Sequence, residues 1–361
     1  MAHGRFAFTI HPTDISFVHR RWPLTRFLPD TVTERALGLK RPFKVSDITG
    51  VVSPFSTASG LLVGIPLMTR MWAEMPEEFL IRRVVEACRL AERHGARVVG
   101  LGAHSAIPGD AGREIAKQVS IPVTTGNSLT VAAALEGAQE GARLMGYDLQ
   151  TARVAVVGAT GSIGSCCVRI LARDCENITL VGRSVEKLKA LSERVLGETG
   201  TACQVSTDVS QALSAADVVI AVSGSADAVI DPGSLKPGAV VCDVALPRDV
   251  DARVARERDD VLVIDGGLIA VPGALRLNYD VGLPERTAWA CLSETMLLAL
   301  EGRYESFTLG RDLTLYQVDE IRRLARKHGF RLARLRSFHK AVTDLAVERV
   351  RRNAAKHVKR S

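Results

Sequence analysis

Long apolar runs are missing from this 361-residue chain. The stretch Leu61 to Met68 falls far short of the roughly 20 residues that a membrane-spanning helix needs. The N-terminus has no basic region followed by an apolar run, so a secretory signal is not expected. The seven cysteines (Cys88, Cys166, Cys167, Cys175, Cys203, Cys242 and Cys291) show no paired metal-ligand spacing. An odd, scattered set argues against a disulfide framework and for reduced thiols, hence a cytoplasmic address. No His-x-x-x-His pattern occurs, and no metal is expected. Internal repeats and low-complexity segments are absent as well. The net charge of +7 conceals an asymmetry: residues 321–361 hold 14 Lys/Arg against two acidic residues. That segment lacks interleaved aromatics, so nucleic acid is not an expected partner. It reads either as a solvated basic tail or as a docking surface for an acidic protein or a membrane.

What the chain does carry is the run Arg153-Val154-Ala155-Val156-Val157 followed by Gly158-Ala159-Thr160-Gly161-Ser162-Ile163-Gly164. The apolar, β-branched stretch fits a strand covered on both faces. The glycines let the backbone turn sharply and approach phosphate, and a helix starting there offers free N–H groups and a positive dipole end. The spacing is G-x-x-G-x-x-G, a variant of the dinucleotide fingerprint, and its setting between strand and helix gives it weight. Residues 158–164 are therefore the expected pyrophosphate site.

From Arg153 onward, strands at Ile178–Val181, Ala202–Val205, Val218–Val222, Val240–Val244 and Val261–Ile264 alternate with helical or turn segments. This pattern predicts an α/β fold, a Rossmann-type doubly wound parallel sheet. Upstream, helical spacing follows Pro76 as far as Gly95, and a strand spans Arg97–Leu101. A helix is predicted over Ala111–Val119, a short strand at Ile121–Val123, and a longer helix over Leu129–Met145. Downstream, helices are predicted over Pro284–Leu300, Leu315–Lys327 and Ser337–His357. The expected division is an N-terminal α/β substrate domain (1–149), a Rossmann domain (150–283) and C-terminal helices (284–361).

Cofactor choice is expected at the end of the second strand of the glycine unit, Val181-Gly182-Arg183-Ser184. An acidic residue there would bind the ribose 2′-hydroxyl of NAD. No carboxylate is present. Arg183 offers a planar fork to a 2′-phosphate and Ser184 caps the next helix, so NADPH is the expected cofactor. Ser223, in Ser223-Gly224-Ser225, falls where a loop would pass the cofactor, although the segment also fits an ordinary turn.

Taken alone, Cys291 fits a small packed side chain. The chain as a whole resembles the long-chain acyl-(acyl carrier protein) reductases, which form fatty aldehydes. The resemblance runs from about Phe79 to Phe330. It is carried by Gly100-Leu101-Gly102-Ala103, Thr124-Thr125-Gly126-Asn127 and Val156-Val157-Gly158-Ala159-Thr160-Gly161. Further matches are Ile230-Asp231-Pro232, Asp265-Gly266-Gly267, Pro284-Glu285-Arg286, Ala290-Cys291-Leu292-Ser293-Glu294-Thr295-Met296-Leu297-Leu298, Leu300-Glu301-Gly302 and Leu309-Gly310-Arg311. The resemblance implies that Cys291 is the nucleophile that takes the acyl group, and that an acidic acyl carrier protein bearing a long acyl chain is the partner, with acyl-CoA as another donor. It also implies an acyl channel lined by the N-terminal residues. A thiol suits the chemistry, since a thioester is exchanged for a thioester. Thr125, Asn127 and Ser128 precede a predicted helix and are candidate oxyanion donors, or else a capping cluster. His104 is a further candidate proton donor.

Two other families share a Rossmann domain behind an N-terminal catalytic domain. Shikimate dehydrogenases carry a catalytic lysine after an Asn-Val-Thr-type strand, and Asn127-Ser128-Leu129-Thr130 has no lysine nearby. Glutamyl-tRNA reductases use an N-terminal cysteine in a Ser-x-Cys-Asn setting, whereas the early cysteine here, Cys88, lies on an apolar helix face. A non-catalytic NADPH-binding protein is the third alternative.

Overall fold

A computed structural model describes residues 2–225 and 227–358. In chain order the elements used below begin with strands β1 (Ala2–Ile10), β2 (Phe43–Val52) and β3 (Ser56–Gly64) and helix α1 (Glu77–Arg93). Strands β4 (Val99–Gly100) and β5 (Val123–Thr124) and helix α2 (Asn127–Met145) follow. Next come β6 (Arg153–Val157), α3 (Ser162–Leu171), β7 (Asn177–Val181) and α4 (Val185–Thr199). Strands β8 (Gln204–Ser206), β9 (Val218–Ala221), β10 (Val240–Asp243) and β11 (Leu262–Asp265) complete that region. The last are β12 (Gly273–Arg276), α5 (Ala290–Glu301), α6 (Leu315–His328) and α7 (Asp344–Val358).

These elements form two compact units, each discontinuous in sequence. The first holds the chain up to Leu129 together with Ile269–Arg331, and the second holds Thr130–Leu268 with the residues from Leu332 onward. The expected linear boundaries at 149/150 and 283/284 differ from these units. Sheet pairing between distant segments is the reason: β12 returns to pair antiparallel with β2, Gly273 opposite Val51.

The sheet of the first unit has the order β12-β2-β3-β1-β4-β5. Strands β3, β1, β4 and β5 run parallel, and β2 and β12 add an antiparallel edge. One face is covered by α1, whose Leu80, Val84, Val85, Cys88 and Ala91 are buried in a cluster with Val63, Ile65 and Val99. Helix α5 is apolar nearly all round, as expected of a helix enclosed on every side. Leu292, Met296, Leu297 and Leu298 have no exposed surface. It can lie flush on the sheet because glycines meet one stripe of it. A methyl group on Gly4 would come within 2.2 Å of the Ala299 carbonyl oxygen, and one on Gly100 within 2.0 Å of Thr295 Oγ1.

In the second unit the sheet order is β11-β10-β9-β6-β7-β8, parallel throughout. This is the Rossmann-type doubly wound sheet that the alternation predicted. Its core gathers Ala155, Val157, Val219, Val241 and Val263 from consecutive strands. Helix α2 presents Gly137 and Gly141 to Cys242 and Ile264 of this sheet.

Three local expectations are corrected. The helix predicted over Ala111–Val119 breaks into two short turns, because Gly109, Asp110, Ala111 and Gly112 take positive φ. The helix predicted from Pro284 begins at Ala290: Arg286 has φ 56°, and Thr287–Trp289 is extended. The helix predicted from Ser337 begins at Asp344, and Arg336–Ser337 instead pairs with Lys340–Ala341 as a tight hairpin. Phe338 and His339 at its tip have φ 45° and 67°, and both their N–H groups donate to the Asp265 carboxylate at 3.0 and 2.9 Å. No helix among the described residues is long and apolar enough to cross a membrane.

Seating α5 on glycine makes a definite demand on the sequence. Replacing Gly100→Ala should lower the stability of the chain by ~1–3 kcal/mol, the usual cost of overpacking, read as a fall in the urea midpoint. An unchanged midpoint would mean that α5 is not seated so closely on β4.

Candidate functional site

In the first unit the parallel strands end at Ile10, Gly64, Gly100 and Thr124, and the segments that leave those ends carry the buried polar residues His11, His104, Ser105, Thr125 and Ser128. Leu101 N donates to Thr124 O at 2.8 Å, so the chain leaving β4 runs beside the chain leaving β5. The segment Thr124-Thr125-Gly126-Asn127-Ser128 then turns into α2. Gly126, with φ 74°, lies directly on Cys291: a Cβ placed on it would be 2.3 Å from Cys291 Cα and 2.4 Å from Cys291 Cβ. The loop and the thiol, more than 160 residues apart in sequence, are thus neighbours within one unit.

Because α5 begins at Ala290, Cys291 occupies the second helical position, where backbone N–H groups still lack helical partners. Two influences oppose each other there. The Leu292 N–H favours a thiolate, in line with the effect of a helix N-terminus. Burial disfavours it more strongly, with the Glu294 carboxylate adding to the effect, and the thiol is pushed up to about 12. In this resting state Cys291 is therefore a neutral thiol.

Glu294, three residues further along α5, is fully buried. Its carboxylate accepts from Thr124 Oγ1 at 2.5 Å, Ser128 Oγ at 2.6 Å, Thr308 Oγ1 at 2.8 Å and the Leu129 N–H at 3.1 Å. Thr308 also donates its N–H to Thr124 Oγ1 and accepts from Thr125 N through its carbonyl. Of the three predicted oxyanion donors, Ser128 is thus engaged by Glu294. The Thr125 hydroxyl is buried without a hydrogen-bond partner, and Asn127 heads α2, half-buried, with no side-chain bond among the described residues. Sequence reasoning did not single out Glu294 or Thr308. Glu294 had a signal, since it stands three residues from Cys291 on one helix face, but Thr308 had none.

His104 follows β4 in a single turn of 3₁₀ helix, Ala103–Ala106. Its backbone N–H donates to His11 Nε2 at 3.3 Å, and its own Nδ1 is buried without a partner. Burial lowers both imidazoles, and His11 falls to about 3 with His104 contributing, so both rings are neutral at pH 7.

The second unit holds the glycine turn. Gly158, with φ 81°, leaves β6 where a Cβ would lie 2.8 Å from the Ser223 backbone. Gly164 admits the first turn of α3 against the loop, since a Cβ there would come within 2.3 Å of Gly158 O. Ser165 N reaches back to Gly161 O at 2.9 Å, and the Ser162 hydroxyl is buried with no partner. Ala159 is buried, Thr160 is exposed, and Ile163 is half-buried on the opening turn of the helix. An orphaned hydroxyl beside free helix-end N–H groups, on glycines that leave the approach clear, fits a dinucleotide pyrophosphate.

At the end of β7, Arg183 is exposed and forms no ion pair among the described residues, while Ser184 caps α4 by accepting from Lys187 N at 3.3 Å. Ser223 is already engaged: its N–H donates to Asp249 at 2.7 Å, and its hydroxyl bonds the same carboxylate. Burial raises both Asp249 and Asp243, the latter to about 6.

Comparison with known proteins matches residues 139–265 to the family described as shikimate / quinate 5-dehydrogenase, a span inside the second unit. The chain is 32% identical to the aminotransferase PigE of Serratia sp. over 96% of its own length, and spans 42% of that relative. It is 28% identical to the long-chain acyl-[acyl-carrier-protein] reductase of Synechococcus elongatus, over 80% of this chain and 87% of that one. A glutamyl-tRNA reductase from Roseiflexus sp. is 27% identical over 50% of this chain and 41% of its own. Dehydrogenases and reductases recur among these relatives, and the family match takes in the glycine turn, which supports a nicotinamide-cofactor site in the second unit.

The state of Cys291 can be read chemically. Its alkylation by iodoacetamide, followed by peptide mass spectrometry, should climb about tenfold per pH unit and still be rising near pH ~10, where an unperturbed thiol has levelled off. A plateau below pH ~9 would contradict a neutral resting thiol at half-buried Cys291.

Proposed function

We propose that the chain is an NADPH-dependent reductase of long-chain acyl thioesters, which carries the acyl group on Cys291 and releases fatty aldehyde. The observation that carries this reading is the seating of Gly126 on Cys291, which sets a thiol at a helix start against a loop with unpartnered Thr125 and Asn127 side chains. Similarity to the Synechococcus elongatus reductase over most of both chains adds to it.

The thiol sulfur attacks the acyl carbon, its proton passes to the departing carrier sulfur, and one thioester replaces another. Thr125 and Asn127 donate to the carbonyl oxygen as it gains charge. Residues 158–164 would hold the pyrophosphate, with Arg183 and Ser184 at the 2′-phosphate. Bound NADPH would supply the hydride. Hydride addition would convert the Cys291 thioester to the alkoxide of a thiohemiacetal, whose collapse releases aldehyde and a thiolate that returns to the thiol by uptake of one proton. Exposed Arg349, Arg351, Arg352 and Lys356 on α7 offer charge to an acidic carrier protein or to an anionic membrane surface. Acyl-CoA is a second acyl donor of the same chemistry.

The family match over residues 139–265 favours one further reading: a nicotinamide-dependent oxidoreductase acting on a different, shikimate-like substrate. In that case the cofactor binds but no acyl-enzyme forms. A non-catalytic cofactor-binding protein would turn over neither substrate.

Wild-type protein given C16 acyl carrier protein without NADPH should gain one acyl mass, lost in Cys291→Ala. With NADPH it should release C16 aldehyde, measured by mass spectrometry. Full aldehyde production by Cys291→Ala would refute the thioester route. Separately, Arg183→Ala should raise the KM for NADPH by about tenfold, the loss of one charged contact to phosphate, while the KM for NADH changes little. Equal effects on both cofactors would remove Arg183 from the 2′-phosphate.

A further inference from the structure

Glu294 is a carboxylate with no surface exposure, and among the described residues no lysine, arginine or histidine pairs with it. A buried charge in that position is costly unless donors satisfy it fully. Here three hydroxyls and one amide converge on it from two other segments: Thr124, Ser128 and Leu129 on one side and Thr308 on the other. An apolar side chain would fill the same space without that cost. What the carboxylate does that an apolar group could not is tie the segment on either side of Gly126 to the helix that bears Cys291. It does so while leaving the side chains of Thr125 and Asn127, between its anchor points, without hydrogen-bond partners among the described residues.

We propose that Glu294 is a positioning residue for acyl transfer, holding the Thr125–Asn127 loop in register with Cys291 so that its spare donors meet the acyl oxygen. This rests on the reading of Cys291 as the acyl acceptor. The same carboxylate exerts a second, opposite influence, because its charge disfavours the nearby thiolate. Position and charge can therefore be separated by experiment.

In Glu294→Gln the charge is gone, and the hydroxyls of Thr124, Ser128 and Thr308 can rotate to accept from the new amide. Only the remaining carbonyl oxygen still accepts as before, so the four-point anchor is weakened. The kcat for aldehyde should fall on the order of tenfold to a hundredfold, as for a small misplacement of reacting groups, with the KM for acyl carrier protein little changed. Alkylation of Cys291 should move the other way, with its pH profile shifted to lower pH and the rate at pH 8 increased. Fully buried Cys88 and Cys167 serve as internal reporters that the fold is intact and should stay unreactive. Thr308→Val, which removes one donor to the carboxylate without touching the charge, should lower kcat less and leave the alkylation profile where it is.

Wild-type kcat in Glu294→Gln overturns the proposal, as does a loss of kcat accompanied by alkylation of Cys88, which marks a purely structural role. If Glu294→Gln fails to fold, an unchanged kcat in Thr308→Val has the same force. Absence of an acyl-enzyme in the wild type refutes the Cys291 reading and the Glu294 proposal with it, whereas acylation of the wild type with an unaffected Glu294→Gln refutes the Glu294 proposal alone.

Discussion

The first unit depends on one close packing contact, that between helix α5 and the glycines beneath it. Cys291, Thr295 and Ala299 recur every four residues and so form a single stripe along the helix. Gly126, Gly100 and Gly4 meet that stripe in the same order. Any side chain at those three positions would lift the helix off the sheet. Protein interiors are packed too densely to absorb such a shift locally, so the displacement would carry to Cys291, to Glu294 and to everything that Glu294 holds. The thiol, the loop and the carboxylate are therefore parts of one arrangement.

Electrostatics in that arrangement run against the simplest picture of a reactive cysteine. A helix start favours thiolate, yet burial and a neighbouring carboxylate prevail, and the resting thiol is neutral. For the proposed transfer of an acyl group from a carrier thioester to this thiol that is no obstacle in principle, because the proton lost by one sulfur is taken by the other. It does keep the resting sulfur from reacting with adventitious electrophiles. The second unit shows a related restraint. Buried Asp249 engages Ser223 behind the glycine turn, so the loop that backs Gly158 is fixed by the protein itself.

Much of the second unit is legible in the residue pattern alone. The β-branched runs 154–157, 178–181, 218–222 and 240–244 alternate with helical segments, and a parallel sheet follows because no other layer arrangement buries such strands on both faces. The glycine turn is legible for a similar reason: each glycine answers a local backbone demand. Expectation and fold part company where local preference is overridden from a distance. Arg286 and the pair Phe338–His339 adopt positive φ, which side-chain pattern does not announce, and in the second case the Asp265 carboxylate sustains it.

Residue types and their spacing were enough to name candidates: a glycine turn at 158–164 proposed for the pyrophosphate, an arginine at 183 proposed for a 2′-phosphate, and a cysteine at 291 whose significance rested on resemblance. They also pointed to the loop 125–128. The three-dimensional arrangement was needed to bring this loop onto that cysteine, to engage Ser128 with Glu294 while leaving Thr125 and Asn127 free of it, and to set Cys291 at the helix start rather than two turns in. Composition and spacing report what each residue prefers along the chain. Which residues meet across 160 positions depends on sheet pairing and on the absence of side chains at Gly4, Gly100 and Gly126, and those are properties of the packed fold.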